Sequence, residues 1–138
     1  MRRFVALTVL VTIAGAPAVG RADEWETLVT RNDARIDLNV SSIERGRNGG
    51  VQAYVLTMHA QPRQTPDGAA YKNATQVIEF DCAGQRSWLH GVGYEMQSKL
   101  VGVNKYPNAE PLRFLPSDTL GGATERAACS YFLRKGLR

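Results

Sequence analysis

Two cysteines, Cys82 and Cys129, are the only ones in the 138-residue chain, and a bond between them would tie together two distant parts of the fold. Neither belongs to a Cys-x-x-Cys motif, and two isolated histidines add too few ligands for a zinc site. If the compartment is oxidising, a structural disulfide is the favoured state. Closing a loop of about 47 residues would stabilise the fold by roughly 4 kcal/mol at most.

The N-terminus indicates such a compartment. Met1–Arg3 is positively charged, Phe4–Ala14 is apolar, and small residues lead to Ala22, which is the pattern of a secretory signal peptide. We expect residues 1–22 to be removed after Ala22, with Ala18 as the second choice of cleavage site, leaving a single domain of residues 23–138. The exported protein is then periplasmic or secreted, and surface display stays open.

The same segment bears on membrane attachment. An apolar run of about 11 residues is too short to cross roughly 30 Å of hydrocarbon as a helix. No cysteine lies near the cleavage region to accept a lipid. We therefore expect no membrane anchor on the exported protein.

The positive charge of the chain lies mostly in the signal peptide. The whole chain has 17 Lys and Arg against 13 Asp and Glu, for a net charge of +4. Arg2, Arg3 and Arg21 belong to the segment that is removed, and no acid goes with them. The exported domain is close to neutral, so we expect no nucleic-acid partner.

Alternation of apolar and polar residues predicts β-strands through most of the domain. The predicted strands are Trp25–Thr30, Ala34–Val40, Val51–Gln61, Tyr71–Cys82, Arg86–Tyr94 and, more weakly, Lys99–Val103. In the third strand we expect Tyr54, Leu56 and Met58 to face the core. In the fourth we expect Cys82 to point inward beside Phe80. Asn48-Gly49 and Pro62–Gly68 are predicted turns or loops.

A single helix is predicted at the C-terminus, from Thr119 to Lys135. Ser117 and Asp118 are good N-cap residues, and Gly136 is a typical terminator. Two glycines weaken the first turn, so we expect regular helix only from Ala123. Strands followed by one final helix predict the α+β class.

The residues that could carry chemistry do not form a motif. His59 and His90 belong to no metal-binding pair, and Glu79 and Asp81 share one strand face where we expect a solvated outer surface beside basic residues. The chain also lacks a nucleophile elbow and a phosphate-binding glycine loop. We therefore expect no catalytic, cofactor-binding or metal-binding residue and no enzymatic activity.

One local concentration of positive charge remains at the C-terminus. Arg134, Lys135 and Arg138 follow the predicted helix. Complementarity to the helix dipole explains them, and they also form a candidate basic contact patch for an acidic partner.

The order of these elements resembles the surface-adhesin protein E family of small exported Gram-negative proteins. The matching residues, in chain order, are Trp25, Ile36-Asp37, Ser41-Ser42-Ile43, Glu79-Phe80-Asp81-Cys82, Leu115-Pro116-Ser117 and Cys129. The resemblance implies an antiparallel sheet of about six strands, with a C-terminal helix joined to it by the disulfide.

The resemblance also implies a function. The family's named member is an adhesin that binds host matrix proteins such as vitronectin and laminin, so we expect a binding protein that acts through a sheet face or edge. The alternative is a soluble periplasmic binding or inhibitor module for a protein or small ligand. Exposed strand edges in a small sheet also predict a homodimer.

Overall fold

A computed structural model describes residues 23–113 and 119–136 of the chain. The predicted signal peptide, the N-cap candidates Ser117 and Asp118, and Arg138 of the basic patch lie outside these ranges. No helix within them is long and apolar enough to cross a membrane.

The alternating segments form an antiparallel sheet, and the Ala-rich segment forms the helix packed on it, so the predicted α+β fold is confirmed. The elements are β1 Trp25–Thr30, β2 Ala34–Arg45, β3 Val51–Gln64, β4 Ala70–Asp81, β5 Arg86–Met96, β6 Lys99–Lys105, β7 Leu112–Arg113 and α1 Leu120–Arg134. The first six strands lie side by side in chain order, and the two-residue β7 pairs with β5. The strand predicted at 51–61 continues past Pro62 to Gln64. Proline has no N–H to donate to the sheet, but the register of β3 and β4 shifts between Met58 and Arg63, so no ladder hydrogen bond is required of Pro62.

The face of the sheet that packs on α1 is the opposite of the predicted one. Ala53 and Val55 of β3 are buried with Ala128 and Phe132 of α1, whereas Tyr54 is 43% exposed on the other face. The small Ala53 and Ala128 side chains let the helix come close to the sheet. The expectation that Tyr54, Leu56 and Met58 face the core was therefore wrong.

Strand β5 contains a bulge that changes which side chains share a face. Leu89 pairs with Ile78 and Gly91 with Val77, so His90 is the extra residue between them. As a consequence Val92 lies on the helix-facing side with Leu89, and His90 lies on the opposite side with Trp88. A strict alternation of side chains between the two faces from residue 88 to residue 94 would place Val92 on the same face as His90, which is wrong.

Helix α1, Leu120–Arg134, matches the predicted Thr119–Lys135 to within one residue at each end. Thr119 is its N-cap, and the hydroxyl of Thr119 accepts a hydrogen bond from the Gly122 amide at 3.1 Å. This cap makes the glycine-containing first turn regular, so the expectation of regular helix only from Ala123 was wrong. Gly136 ends the helix with a φ of 62°, as expected of a C-terminal glycine.

The predicted Cys82–Cys129 disulfide is confirmed. The two Cα atoms are 5.9 Å apart, and the bond joins the end of β4 to α1. Cys129 is buried, but Cys82 lies just beyond the strand and is exposed. The expectation that Cys82 points into the core was wrong, because the last strand residue is Asp81.

Glu125 of α1 provides a stability prediction. Burial raises the pKa of its carboxyl group, the nearby Asp81 charge adds to this, and Arg126 opposes it. A raised folded-state pKa stabilises the fold below the unfolded value, and this contribution is lost as the pH rises through the folded pKa. Glu125→Gln is therefore expected to raise the free energy of unfolding at pH 7 by about 1 kcal/mol, with no gain near pH 4.

Urea unfolding at the two pH values measures this difference. The exposed Glu26 of β1 supplies the matched control, since Glu26→Gln removes the same charge without relieving burial. An equal effect of both substitutions at pH 7, or a destabilised Glu125→Gln variant, would contradict the interpretation.

Candidate functional site

Glu79 is the most deeply buried carboxylate in the described residues. Its side chain is 0% exposed, although it lies on the sheet face opposite α1. Oε1 accepts hydrogen bonds from the backbone amides of Asn48 and Gly50, both at 2.8 Å. Oε2 accepts from Asn48 Nδ2 at 3.0 Å and from His90 Nε2 at 2.7 Å. The expectation of a solvated face at Glu79 was therefore wrong.

The donors around Glu79 decide its charge state. Burial alone raises the pKa of the carboxyl, but the hydrogen bonds from His90, Gly50 and Asn48 outweigh burial and bring the pKa below its ordinary value of 4.5. Glu79 is therefore a carboxylate at neutral pH, and all of its charge is compensated by donors from the β2–β3 loop and β5.

His90 links Glu79 to a cation. Arg47 Nη2 lies 2.8 Å from His90 Nδ1 and also donates to the Pro107 carbonyl at 2.8 Å. A guanidinium has only donors, so Nδ1 accepts, and the ring proton is on Nε2, from which it is donated to Glu79. Both ring nitrogens of His90 are thus engaged, and its side chain is only 10% exposed.

These contacts act as a clamp, which we call the Glu79 clamp and define as Glu79, His90, Arg47, Asn48 and Gly50. A carboxylate next to an imidazole resembles an acid–base pair, but here both oxygens and both ring nitrogens already have protein partners. What the clamp does is hold the β2–β3 loop and the segment at Pro107 against the centre of the sheet.

The clamp depends on residues that a linear pattern does not identify. A side chain at Gly46 would collide with the Glu79 carboxylate, and one at Gly50 would collide with the Phe80 carbonyl. The glycine-rich sequence of this loop therefore serves close approach to Glu79 as well as the turn. Within the loop from Gly46 to Gly50 only Gly49 has a positive φ, so the predicted two-residue Asn48-Gly49 turn is instead a longer loop closed by Gly46 and Gly50.

The other acid and the other histidine lie apart from the clamp. Asp81 Oδ2 accepts from Arg86 Nε and Nη2 at 3.1 and 2.8 Å, which confirms the expected pairing with a basic residue of the neighbouring strand. His59 Nδ1 accepts from Arg63 at 3.1 Å. Burial, followed by the Arg63 charge, lowers the pKa of His59.

The described part of the predicted basic patch is held on an aromatic ring. The Arg134 guanidinium and the Lys135 ammonium lie 5.3 and 4.6 Å from the centre of the Tyr131 ring. Cation–π attraction therefore orients both charges in addition to the helix dipole.

Strand β6 is the most apolar exposed feature of the sheet. It pairs with β5 on one side only, so its other side is a free edge within the described residues. Leu100, Val101 and Val103 are 63%, 36% and 51% exposed. Unpaired backbone groups beside exposed apolar side chains are the features that recruit an added strand.

Local geometry gathers two of these side chains. A bulge at Val101 separates the pairs Tyr94–Gly102 and Glu95–Leu100, so Leu100 and Val103 come to the same face. Val103 lies directly opposite Gly93 of β5, and Leu100 lies opposite Glu95. Lys99 and Lys105 bound the strand at its ends. We call residues Lys99–Lys105 and their free side the β6 edge.

Comparison of the chain with protein-family models, with curated proteins and with solved structures finds no match.

Proposed function

We propose that the exported protein is a non-enzymatic binding protein that holds an extended segment of a protein partner against the β6 edge. The observation that carries this proposal is the free apolar strand, with Leu100 and Val103 exposed on one face. Main-chain hydrogen bonds would supply affinity, and pockets between alternate side chains would supply specificity.

The charges at the edge define the partner. Two copies of β6 paired antiparallel about Gly102 would place Lys99 opposite Lys105, where like charges repel. A segment with apolar residues at its centre and acidic residues at its ends fits better. The resemblance to the surface-adhesin protein E family supports a host matrix protein such as laminin or vitronectin as the source of that segment.

Retention on immobilised laminin or vitronectin tests this function. We expect the wild-type protein to be retained at micromolar concentration and Val103→Lys to weaken retention by about tenfold or more, because it places a charge in the apolar contact. Thr30→Lys adds the same charge at the opposite edge of the sheet and should bind as wild type does.

Two results would contradict the proposal: no retention of the wild-type protein, or equal loss of retention in both lysine variants. A second copy of the chain is the rival occupant of this edge. Light scattering at high protein concentration separates these two occupants. If the wild-type protein is a dimer and Val103→Lys is a monomer, the β6 edge is used for self-association.

A soluble periplasmic binding module is the second candidate function, and it is supported by a cavity of about 410 Å³ at the C-terminal end of α1. Protection of the protein from external protease in intact cells would favour this role. Cleavage by external protease would favour surface display and the adhesin role.

A further inference from the structure

The cavity at the end of α1 has the size and lining of a small-molecule site. Its volume of about 410 Å³ falls within the range of roughly 300 to 1,000 Å³ for ligand pockets. It lies where β3 begins, β4 ends and β5 begins. We call it the Arg45 pocket; its lining includes Arg45, Asp81, Arg86, Trp88, Phe132 and Leu133.

The pocket contains two cations, and only one of them is neutralised. Arg86 binds Asp81 through two nitrogens. Arg45 donates through Nη1 to the Gly49 carbonyl at 3.0 Å, and no described carboxylate lies in ion-pair contact with it. Because a guanidinium carries five N–H donors, Arg45 keeps donors for an incoming anion.

The Arg45 side chain is exposed, and its guanidinium lies over an aromatic ring. Its Cζ lies 5.4 Å from the centre of the Phe132 ring, and Phe132 is buried in the core. A guanidinium held over a ring by cation–π attraction loses less freedom when it binds a carboxylate. The charge is therefore preorganised at the pocket.

Apolar surfaces complete the site. Trp88 is half-buried, Leu133 is 76% exposed at the last turns of α1, and the Cys82–Cys129 disulfide lies in the same wall. An anion held by Arg45 would thus have an aromatic and aliphatic surface against which to place its body.

We propose that the Arg45 pocket binds a small aromatic carboxylate, with the carboxylate on the Arg45 guanidinium and the ring against Trp88 and Leu133. Charge complementarity selects the anion, and the apolar walls select its body. This site is separate from the β6 edge, and its occupancy does not depend on a protein partner.

The probes are 1-naphthoate and its neutral counterpart 1-naphthamide, titrated into the exported protein and followed by the amide signals of Gly49 and Gly50 and the indole signal of Trp88. The two probes share one ring system and differ in charge. We expect saturable shifts at these positions and a dissociation constant about tenfold lower for the carboxylate.

Arg45→Gln should bring the affinity for naphthoate down to that for naphthamide, whereas Arg134→Gln, which removes a charge on the Tyr131 side of α1, should leave the preference intact. For the wild-type protein, about 0.5 M salt should weaken the binding of naphthoate and leave the binding of naphthamide unchanged. This comparison tests the role of charge without a substitution. Equal affinities for the two probes, an unchanged preference in Arg45→Gln, or no saturation below about 10 mM would overturn the proposal.

Discussion

Glu79→Gln is expected to lower the free energy of unfolding by about 2 to 4 kcal/mol near pH 7, because it leaves one buried donor without an acceptor and removes the charge from the oxygens that accept the other hydrogen bonds. The side chain it replaces is 0% exposed and accepts four hydrogen bonds. The substitution keeps the shape of the side chain, so the loss reports on charge and hydrogen bonding rather than on a cavity.

The loss of stability follows because the NH₂ group of the new glutamine faces a hydrogen-bond donor where the carboxylate of Glu79 accepted. A glutamine can present its oxygen to the Asn48 and Gly50 amides, and the Asn48 side chain can turn its own oxygen toward the new NH₂ group, but that group still faces His90 Nε2. Moving the His90 proton to Nδ1 does not help, because Nδ1 would then oppose the Arg47 guanidinium. The buried His90 donor left without an acceptor costs about 1 to 3 kcal/mol.

The pH dependence gives the direction of the effect. Because the folded-state pKa of Glu79 lies below its ordinary value of 4.5, its contribution is present above about pH 4.5 and is lost as the pH falls through the folded pKa. Urea unfolding from pH 7 to pH 3 should therefore show the gap between wild type and Glu79→Gln closing toward acid.

The exposed Glu44 in the same hairpin is the matched control, and Glu44→Gln should change stability by less than about 0.5 kcal/mol. If Glu79→Gln does not fold, Asn48→Ala removes one donor to Oε2 and should cost about 1 kcal/mol. A Glu79→Gln protein as stable as wild type at pH 7 would contradict the clamp.

The second large effect concerns the disulfide. Replacing both Cys82 and Cys129 by serine is expected to lower the free energy of unfolding by about 2 to 4 kcal/mol, since the bond closes a loop of 47 residues in the unfolded chain. Because this bond is a covalent link between α1 and the sheet, we expect the backbone amides of α1 to lose the most protection in the variant.

Unfolding with and without a thiol reductant measures this contribution. Exposure of Cys82 gives the reductant access, so the reduced wild-type protein should match the double serine variant. The variant itself should not respond to reductant. A change below about 1 kcal/mol, or uniform loss of protection across the sheet, would show that the bond does not hold α1 in place.

Local patterns predicted the elements but not the orientation of the sheet. Alternation located β1 to β6 because each strand is amphipathic over several residues, and with the final helix it predicted the α+β class. The antiparallel sheet of about six strands was implied by the family resemblance. The core face of β3 was misassigned because larger side chains occupy its outer face, while Ala53 is suited to close contact with α1. Which face is covered depends on the helix, and the strand alone does not encode it.

The Glu79 clamp was outside the reach of the sequence because it joins three separate segments. A bulge at His90 and a loop from Gly46 to Gly50 bring its members together, and neither has a signature in the local pattern. The clustered glycines were interpreted as a turn, and their closeness to Glu79 emerged only in the folded chain. By contrast, the free edge at β6 follows from the order of the strands, and exposed strand edges were predicted from the sequence, although not which strand would form them.

Amide hydrogen exchange of β6 in the presence of a matrix partner is the most direct test of the proposed function. With laminin or vitronectin bound, the amides on the free side of Leu100–Val103 should exchange more slowly, while those of the opposite edge strand β1 should be unchanged. If the partner binds and slows amide exchange elsewhere in the protein but does not slow it in β6, the assignment of the β6 edge as the binding site is contradicted.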